Sequence, residues 1–144
     1  MLSTEATKAG NNYEHKILLA LNIPELELDR QIIIDRLRVN LDGNIKDCIY
    51  EIKTHNIDKE FKVSKQYWRQ AQVEMYAYNT RNLYIVSYSL QERDYNNYFN
   101  EIDLDRIQFH KIEYDEEFIN NEYLPKLKIL MECLKKGTFP RKED

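Results

Sequence analysis

Residues 32–54 read IIIDRLRVNLDGNIKDCIYEIKT. Two runs rich in Ile and Val flank Asp42-Gly43, and Asp-Gly supplies the positive φ angles of a tight hairpin turn. The stretch therefore predicts a β-hairpin, with its first strand clearest over 31–40. Ile33, Asp35, Leu37 and Val39 share one face of that strand, and Ile49, Glu51 and Lys53 share one face of the second. A two-residue turn sets Glu51 opposite Ile34. A three-residue loop, Asp42 to Asn44, sets it opposite Asp35, and the face pattern favours this register. Asp42 then sits in the turn, roughly eight residues from Glu51 at about 3.4 Å per residue, too far to share an ion with it. It qualifies only if the chain turns near Lys46-Asp47 instead.

Two carboxylates a few ångströms apart repel each other unless a cation lies between them. Mg²⁺ takes oxygen ligands and keeps several waters, so Asp35, Glu51 and the Ile52 backbone carbonyl form a plausible open site, with Mn²⁺ as a substitute ion. An adjacent lysine, Lys53, can orient a metal-bound water and stabilise charge on a phosphate oxygen. The competing reading is an exposed hairpin face on which Glu51 and Lys53 merely offset each other.

Around the hairpin the chain predicts a helix from Asn11 or Asn12 to near Pro24, a helix capped by Ser64, strands over 82–90 and 106–114, and a helical tail from Asp115 to Lys136. Pro125 either kinks that tail or opens its second half, and Gly137 and Pro140 end it. An Asn- and Asp-rich loop over 92–105 is expected, and the first ten residues are expected to be flexible. The order αββαββα describes an α/β (α+β) fold, a mixed sheet of about four to five strands flanked by helices. In the first helix, Glu14 precedes Ile17, Leu18 and Leu21 at helical spacing and so lies at the edge of the apolar face, although it also suits the helix dipole. In the second, Tyr67, Gln70, Glu74 and Ala77 form one stripe, and Trp68, Gln72, Met75 and Tyr76 another. A glutamine facing the sheet needs a polar partner, either a lysine, a metal-bound water or backbone.

The 144 residues fit one domain, 42% hydrophobic and 32% charged. No apolar run nears the roughly 20 residues that span a bilayer, and no secretory signal opens the chain, so a cytoplasmic protein without a membrane partner is expected. Cys48 and Cys133 are far apart, which disfavours zinc and disulfide frameworks. A net charge of −4 argues against binding nucleic acid through bulk basicity, but not against local cations plus metal ions.

Taken in order, a helical Glu, an Asp followed by Glu-x-Lys on a hairpin, and a Gln on the next helix resemble the PD-(D/E)XK nuclease core. They are most similar to phage lambda-type exonucleases and YqaJ-like viral recombinase nucleases. The segment YWRQAQVEMYAYNTRNLYIVSYS, residues 67–89, carries a tyrosine, Q-x-Q, a methionine and a Tyr-rich strand in that family's order, and IEYDEEF, residues 112–118, resembles the end of the core. The resemblance implies a restriction-endonuclease-like fold and a Mg²⁺-dependent deoxyribonuclease, with Glu14, Asp35 and Glu51 as acidic metal-site residues, Lys53 as catalytic lysine and Gln70 as motif glutamine. Gln72 competes, because QVEMYA resembles the Q-x-x-x-Y-A of RecB-type nucleases; their I-D-R segment supports Asp35 over Asp42. Arg36, Arg38, Arg69, Lys62 and Lys65 are candidate phosphate contacts, and Tyr67 and Trp68 candidates for stacking on bases. DNA, further copies of the chain in a ring and a single-strand annealing protein are the partners so implied. The alternatives are a restriction-type or structure-selective endonuclease on the same core, and a catalytically silent nucleic-acid-binding or assembly module.

Overall fold

The structure, a computed structural model, describes residues 5–96 and 101–137, with side chains described from Tyr13 onward except that of Asn96. Helix α1 spans Glu5–Ala20. It is followed by strands β1 (Glu27–Ile34), β2 (Leu37–Ile45) and β3 (Cys48–Asn56). Helix α2 (Lys65–Tyr78) leads to β4 (Leu83–Leu90), the short α3 (Glu92–Asn96) and β5 (Ile107–Lys111). The chain closes with α4 (Glu116–Phe118), a wider π turn over Ile119–Tyr123, and α5 (Leu124–Lys136). The five strands form one mixed sheet in the order β1-β2-β3-β4-β5. Only the β3–β4 pair is parallel, with α2 as its crossover connection. No helix of the described residues is long and apolar enough to cross a membrane.

The sheet is the expected mixed one, but its first half holds three strands instead of two. The chain turns at Asp35-Arg36, where Ile34 pairs with Leu37, and again at Lys46-Asp47, where Ile45 pairs with Cys48. Asp35 takes the left-handed conformation, φ 53°, which a short polar side chain tolerates. Asp47 fixes the second turn by accepting hydrogen bonds from Thr80 Oγ1 at 3.0 Å and, through its carbonyl, from Asn82 Nδ2 at 3.0 Å. Asp42-Gly43 is not a turn. Both residues lie within β2, and Gly43 does not have a positive φ.

Gly43 serves close packing instead. A Cβ placed there would lie 2.8 Å from Leu18 Cδ2 and 3.2 Å from Leu18 Cδ1. Leu18 is fully buried, in the cluster that joins α1 to one face of the sheet through Tyr13, Ile17, Ile52, Val86, Tyr88 and Leu90. On the opposite face Ala71 and Met75 of α2 pack on Val39, Leu41, Ile49, Leu83, Ile85 and Ile112. Each fully buried Leu, Ile, Val or Met side chain of these layers contributes about 1.5–3 kcal/mol.

The ends of the elements differ from expectation in smaller ways. Helix α1 starts at Glu5, so residues 5–10 are helical and Asn11 and Asn12 lie inside the helix; residues 1–4 are outside the described set. Ser64 caps α2 as expected, accepting from the Tyr67 N–H at 3.1 Å. The expected loop after β4 contains α3 and a 3-10 turn over Leu104–Arg106, with residues 97–100 outside the described set. Pro125 comes directly after the π turn, in a backbone that stays helical from α4 into α5, and Gly137 ends that helix at φ 71°. The expected stop at Pro140 falls outside the described residues.

Because Gly43 answers a steric demand and not a conformational one, the cost of replacing it should grow with side-chain size. Gly43→Val is expected to lose about 1–3 kcal/mol through overpacking against Leu18, and Gly43→Ala clearly less. Urea unfolding of the two variants checks this; an equal loss in both would return Gly43 to a conformational role.

Candidate metal centre

Strands β2 and β3 separate after three paired positions, Gly43–Tyr50, Asn44–Ile49 and Ile45–Cys48. Two residues further along β3, the Ile52 N–H donates to Asp42 Oδ2 at 2.8 Å, so a side chain takes the donor that a continued ladder would use. The β1–β2 register also skips this point. Leu28–Gly43 and Arg30–Leu41 pair while Asp29 and Asp42 do not, and Asp29 is left-handed at φ 55°. The facing of β2 reverses across the break: Val39 and Leu41 belong to the layer under α2, whereas Gly43 abuts Leu18 of α1. Asp42 thus stands at the open edge of β3, between the two helical layers.

This placement corrects the expectation for Asp35. That residue is exposed in the β1–β2 turn, separated from Asp42 by the strand from Leu37 onward at about 3.4 Å per residue. The aspartate beside Glu51 is Asp42, because the chain turns at Lys46-Asp47.

Glu51, Lys53 and Gln70 meet on the α2 face of the sheet. Gln70 Nε2 donates to Glu51 Oε1 at 3.1 Å, and Lys53 Nζ donates to Gln70 Oε1 at 3.1 Å. Lys53 Nζ also lies 3.4 Å from Glu51 Oε1 and 4.5 Å from the centre of the Tyr67 ring. A carboxylate that only accepts and an ammonium that only donates leave one orientation for the Gln70 amide. Gln72, the competing glutamine, points elsewhere. Fully buried, it donates to the Glu113 carbonyl at 2.8 Å and accepts from the Asp115 N–H at 2.7 Å, tying α2 to the chain before α4.

Two further acids complete the cluster. Glu14 reaches Asp42 from α1, carboxyl to carboxyl; burial first, then this contact and the nearby Asp29, push its pKa up to about 8. Glu74, one turn beyond Gln70 on α2, faces the Glu51 carboxyl at hydrogen-bond range, a contact that is a bond only if one of the two carries a proton. Burial raises both, Glu51 is raised further by Glu74, and Asp42 adds to each; Lys53 is the cation that opposes the shift in all three glutamates. Glu74 was legible in the sequence only as a member of the Gln70 stripe.

The donor set fits a hard divalent cation. Asp42, held on the Ile52 N–H, lies within electrostatic reach of Glu51, and Glu51 Oε2 is buried without a hydrogen-bond partner. The Ile52 carbonyl faces the same edge as its N–H, towards Asp42, as both main-chain groups of a strand residue do. Four carboxyls against one ammonium leave a surplus of negative charge that a cation would neutralise.

Of the residues considered for nucleic-acid contact, Arg36, Arg38, Lys62, Lys65 and Arg69 are exposed. Arg36 and Arg38 lie at and just after the β1–β2 turn, and Arg69 adjoins Gln70 on α2. Tyr67 lays its face under Lys53 and stacks on Phe61 with ring centres 6.2 Å apart, and Trp68 packs edge-on against Phe118 at 4.9 Å.

No family model matches the sequence, and no curated protein matches it significantly. Solved structures do. A phage-related exonuclease from Haemophilus somnus 129PT superposes with a TM-score of 0.60 and 19% identity, over 83% of this chain and 66% of the other. The alkaline exonuclease LHK-Exo from Laribacter hongkongensis gives a TM-score of 0.60 and 19% identity, over 95% of this chain and 76% of the other. The fold is that of these exonucleases. The chain thus spans about two thirds to three quarters of the length of these neighbours.

Folded-state pKa values raised above those of the unfolded chain have a definite sign in stability. The folded form binds the protons of Glu14, Glu51 and Glu74 more tightly, so their contribution is complete below the unfolded value of 4.5 and is lost as pH rises, for Glu14 up to about 8. In chelator, the thermal midpoint should therefore fall from about pH 5 to about pH 8 and fall less in Glu51→Gln, as differential scanning fluorimetry can establish. A midpoint that climbs over that range contradicts the assignment.

Proposed function

We propose that the chain is a divalent-metal-dependent nuclease that hydrolyses DNA phosphodiester bonds, in its most specific form a lambda-type exonuclease using Mg²⁺. The observation that carries this reading is the meeting of Asp42, Glu51, Lys53 and Gln70 at the fork between β2 and β3. The fold shared with two exonucleases and the sequence resemblance to the PD-(D/E)XK core support it.

Asp42, Glu51 and the Ile52 carbonyl would hold the ion, with Glu14 closing the site from α1. When bound, the ion supplies Lewis-acid stabilisation of the charge that builds on the phosphate and lowers the pKa of a water. The chain's own residues position the rest. Of the three N–H donors of Lys53, Gln70 takes one and Glu51 lies against another, which leaves one for a phosphate oxygen or for the attacking water. Tyr67 supports the ammonium from its ring face, so the lysine is fixed on three sides. Glu51, through Gln70, thereby sets the direction in which Lys53 donates. Arg69 on α2, and Arg36 and Arg38 on the neighbouring hairpin, are exposed cations suited to the flanking phosphates. Local cations and the ion offset the repulsion between DNA and a chain of net charge −4.

The test is hydrolysis of linear duplex and closed circular DNA in Mg²⁺. Asp42→Asn and Lys53→Ala should each slow cutting of the linear duplex by about 100-fold or more, whereas Asp35→Asn stays at the parental rate. Full activity in Lys53→Ala would remove the lysine from the mechanism. Rapid nicking of the closed circle by the parent chain would replace the exonuclease form with an endonuclease.

A further inference from the structure

Glu74 has no part in the mechanism just described, yet its position requires an explanation. It follows Gln70 by four residues on α2, so both side chains descend on the same stretch of β3. It is 2% exposed, and neither of its carboxylate oxygens receives a hydrogen bond of ordinary geometry. Glu51, 4% exposed, presents its own unpartnered Oε2 in the same cluster. Three buried acidic oxygens thus lack a well-formed hydrogen bond; the polar groups nearest Glu74 are the Gln70 amide and the Glu51 carboxyl, and the latter donates only when protonated.

A structural acid in this same chain shows what the ordinary solution looks like. Asp94 is fully buried and accepts from Arg106 Nη1 at 2.6 Å and from the Gln91 N–H at 2.8 Å. Glu74 has neither a guanidinium nor a backbone N–H at such range. A core position of this kind filled by a second carboxylate beside Glu51 makes sense if a positive charge enters the cluster. We propose that Glu74 is a member of the cation site, forming with Glu51 an inner carboxylate pair that binds the divalent ion. This inference rests on the divalent-metal reading of the Asp42–Glu51 cluster. It adds a fourth carboxylate to Glu14, Asp42 and Glu51 and makes the ion a structural requirement of the core as well as a reagent.

Calorimetric titration of the whole chain with Mn²⁺, paired with thermal unfolding in chelator and in Mn²⁺, tests it. Glu74→Gln should weaken Mn²⁺ binding by about tenfold or more. The same variant should unfold at a higher temperature than the parent in chelator and gain less from Mn²⁺, because the carboxyl pair is gone. Glu74→Asp, which keeps the charge, should recover part of the affinity. Should Glu74→Gln give no cooperative transition, Glu74→Ala is read in its place. Unchanged Mn²⁺ affinity in Glu74→Gln, alongside lost binding in Asp42→Asn, would overturn the role of Glu74 and leave the metal reading intact. A parent chain that binds no Mn²⁺ would overturn both.

Discussion

The hydrogen bond from the Ile52 N–H to the Asp42 carboxylate decides how the sheet opens. Had β2 and β3 stayed zipped, the edge of β3 at Glu51 and Lys53 would be covered by backbone, and no ligand could approach it. By accepting the orphaned N–H at 2.8 Å, Asp42 ends the ladder without leaving a donor unpaired and puts an anionic oxygen where a carbonyl would otherwise stand. The irregular pairing at Asp29 and the reversed facing of β2 belong to the same local event. Either the fork or a regular sheet can form here, and the fork brings α1 and α2 to bear on one point from opposite faces.

Charge is distributed in two contrasting ways within one small core. On the α1 side, Asp94 and Arg106 neutralise each other, with Arg106 also donating to the Ser89 carbonyl and lying over the Tyr88 ring at 4.7 Å. Around Asp42 the acids outnumber the single ammonium, and the fold holds them together by burial against their mutual repulsion. The first arrangement completes itself; the second requires either protons or an added cation. Rigid neighbours maintain this unfavourable state: Gln70 links Glu51 to Lys53, and Gln72 anchors the same helix through backbone groups on its other side.

Much of the centre could be read from the residues themselves. Glu51 and Lys53 are placed by simple strand periodicity; helical periodicity left Gln70 and Gln72 on rival stripes, the family resemblance favoured Gln70, and the structure brings Glu51, Lys53 and Gln70 together. The aspartate could not be placed in this way, because Asp42-Gly43 combines the residues of a tight turn with a position inside a strand. What overrides the turn is tertiary: the Leu18 side chain needs the volume that any Cβ at Gly43 would fill. Period-two alternation failed for a related reason, since β2 changes its facing at Asp42 and no count of apolar residues registers such a break. Glu74 shares a stripe with Gln70, but only burial distinguishes it from the solvent-facing glutamates common on helices. The extra strand β1 was hidden because its turn into β2 falls at Asp35-Arg36, inside the run IIIDRLRV, with no Gly, Pro or Asn to mark it, and because Glu27 to Gln31 are mostly polar.

The missing side chain at Gly43 has a meaning beyond packing. Helix α1 comes as near to the sheet as that bare backbone allows, and Glu14 is carried on the same helix, four residues before Leu18. The separation of Glu14 from Asp42, and with it the electrostatic field at the fork, is therefore set by a residue with no charge and no polar side chain. Layer spacing acts here as a tuning parameter: moving one helix by the thickness of a methyl group would redistribute charge across the whole acidic cluster.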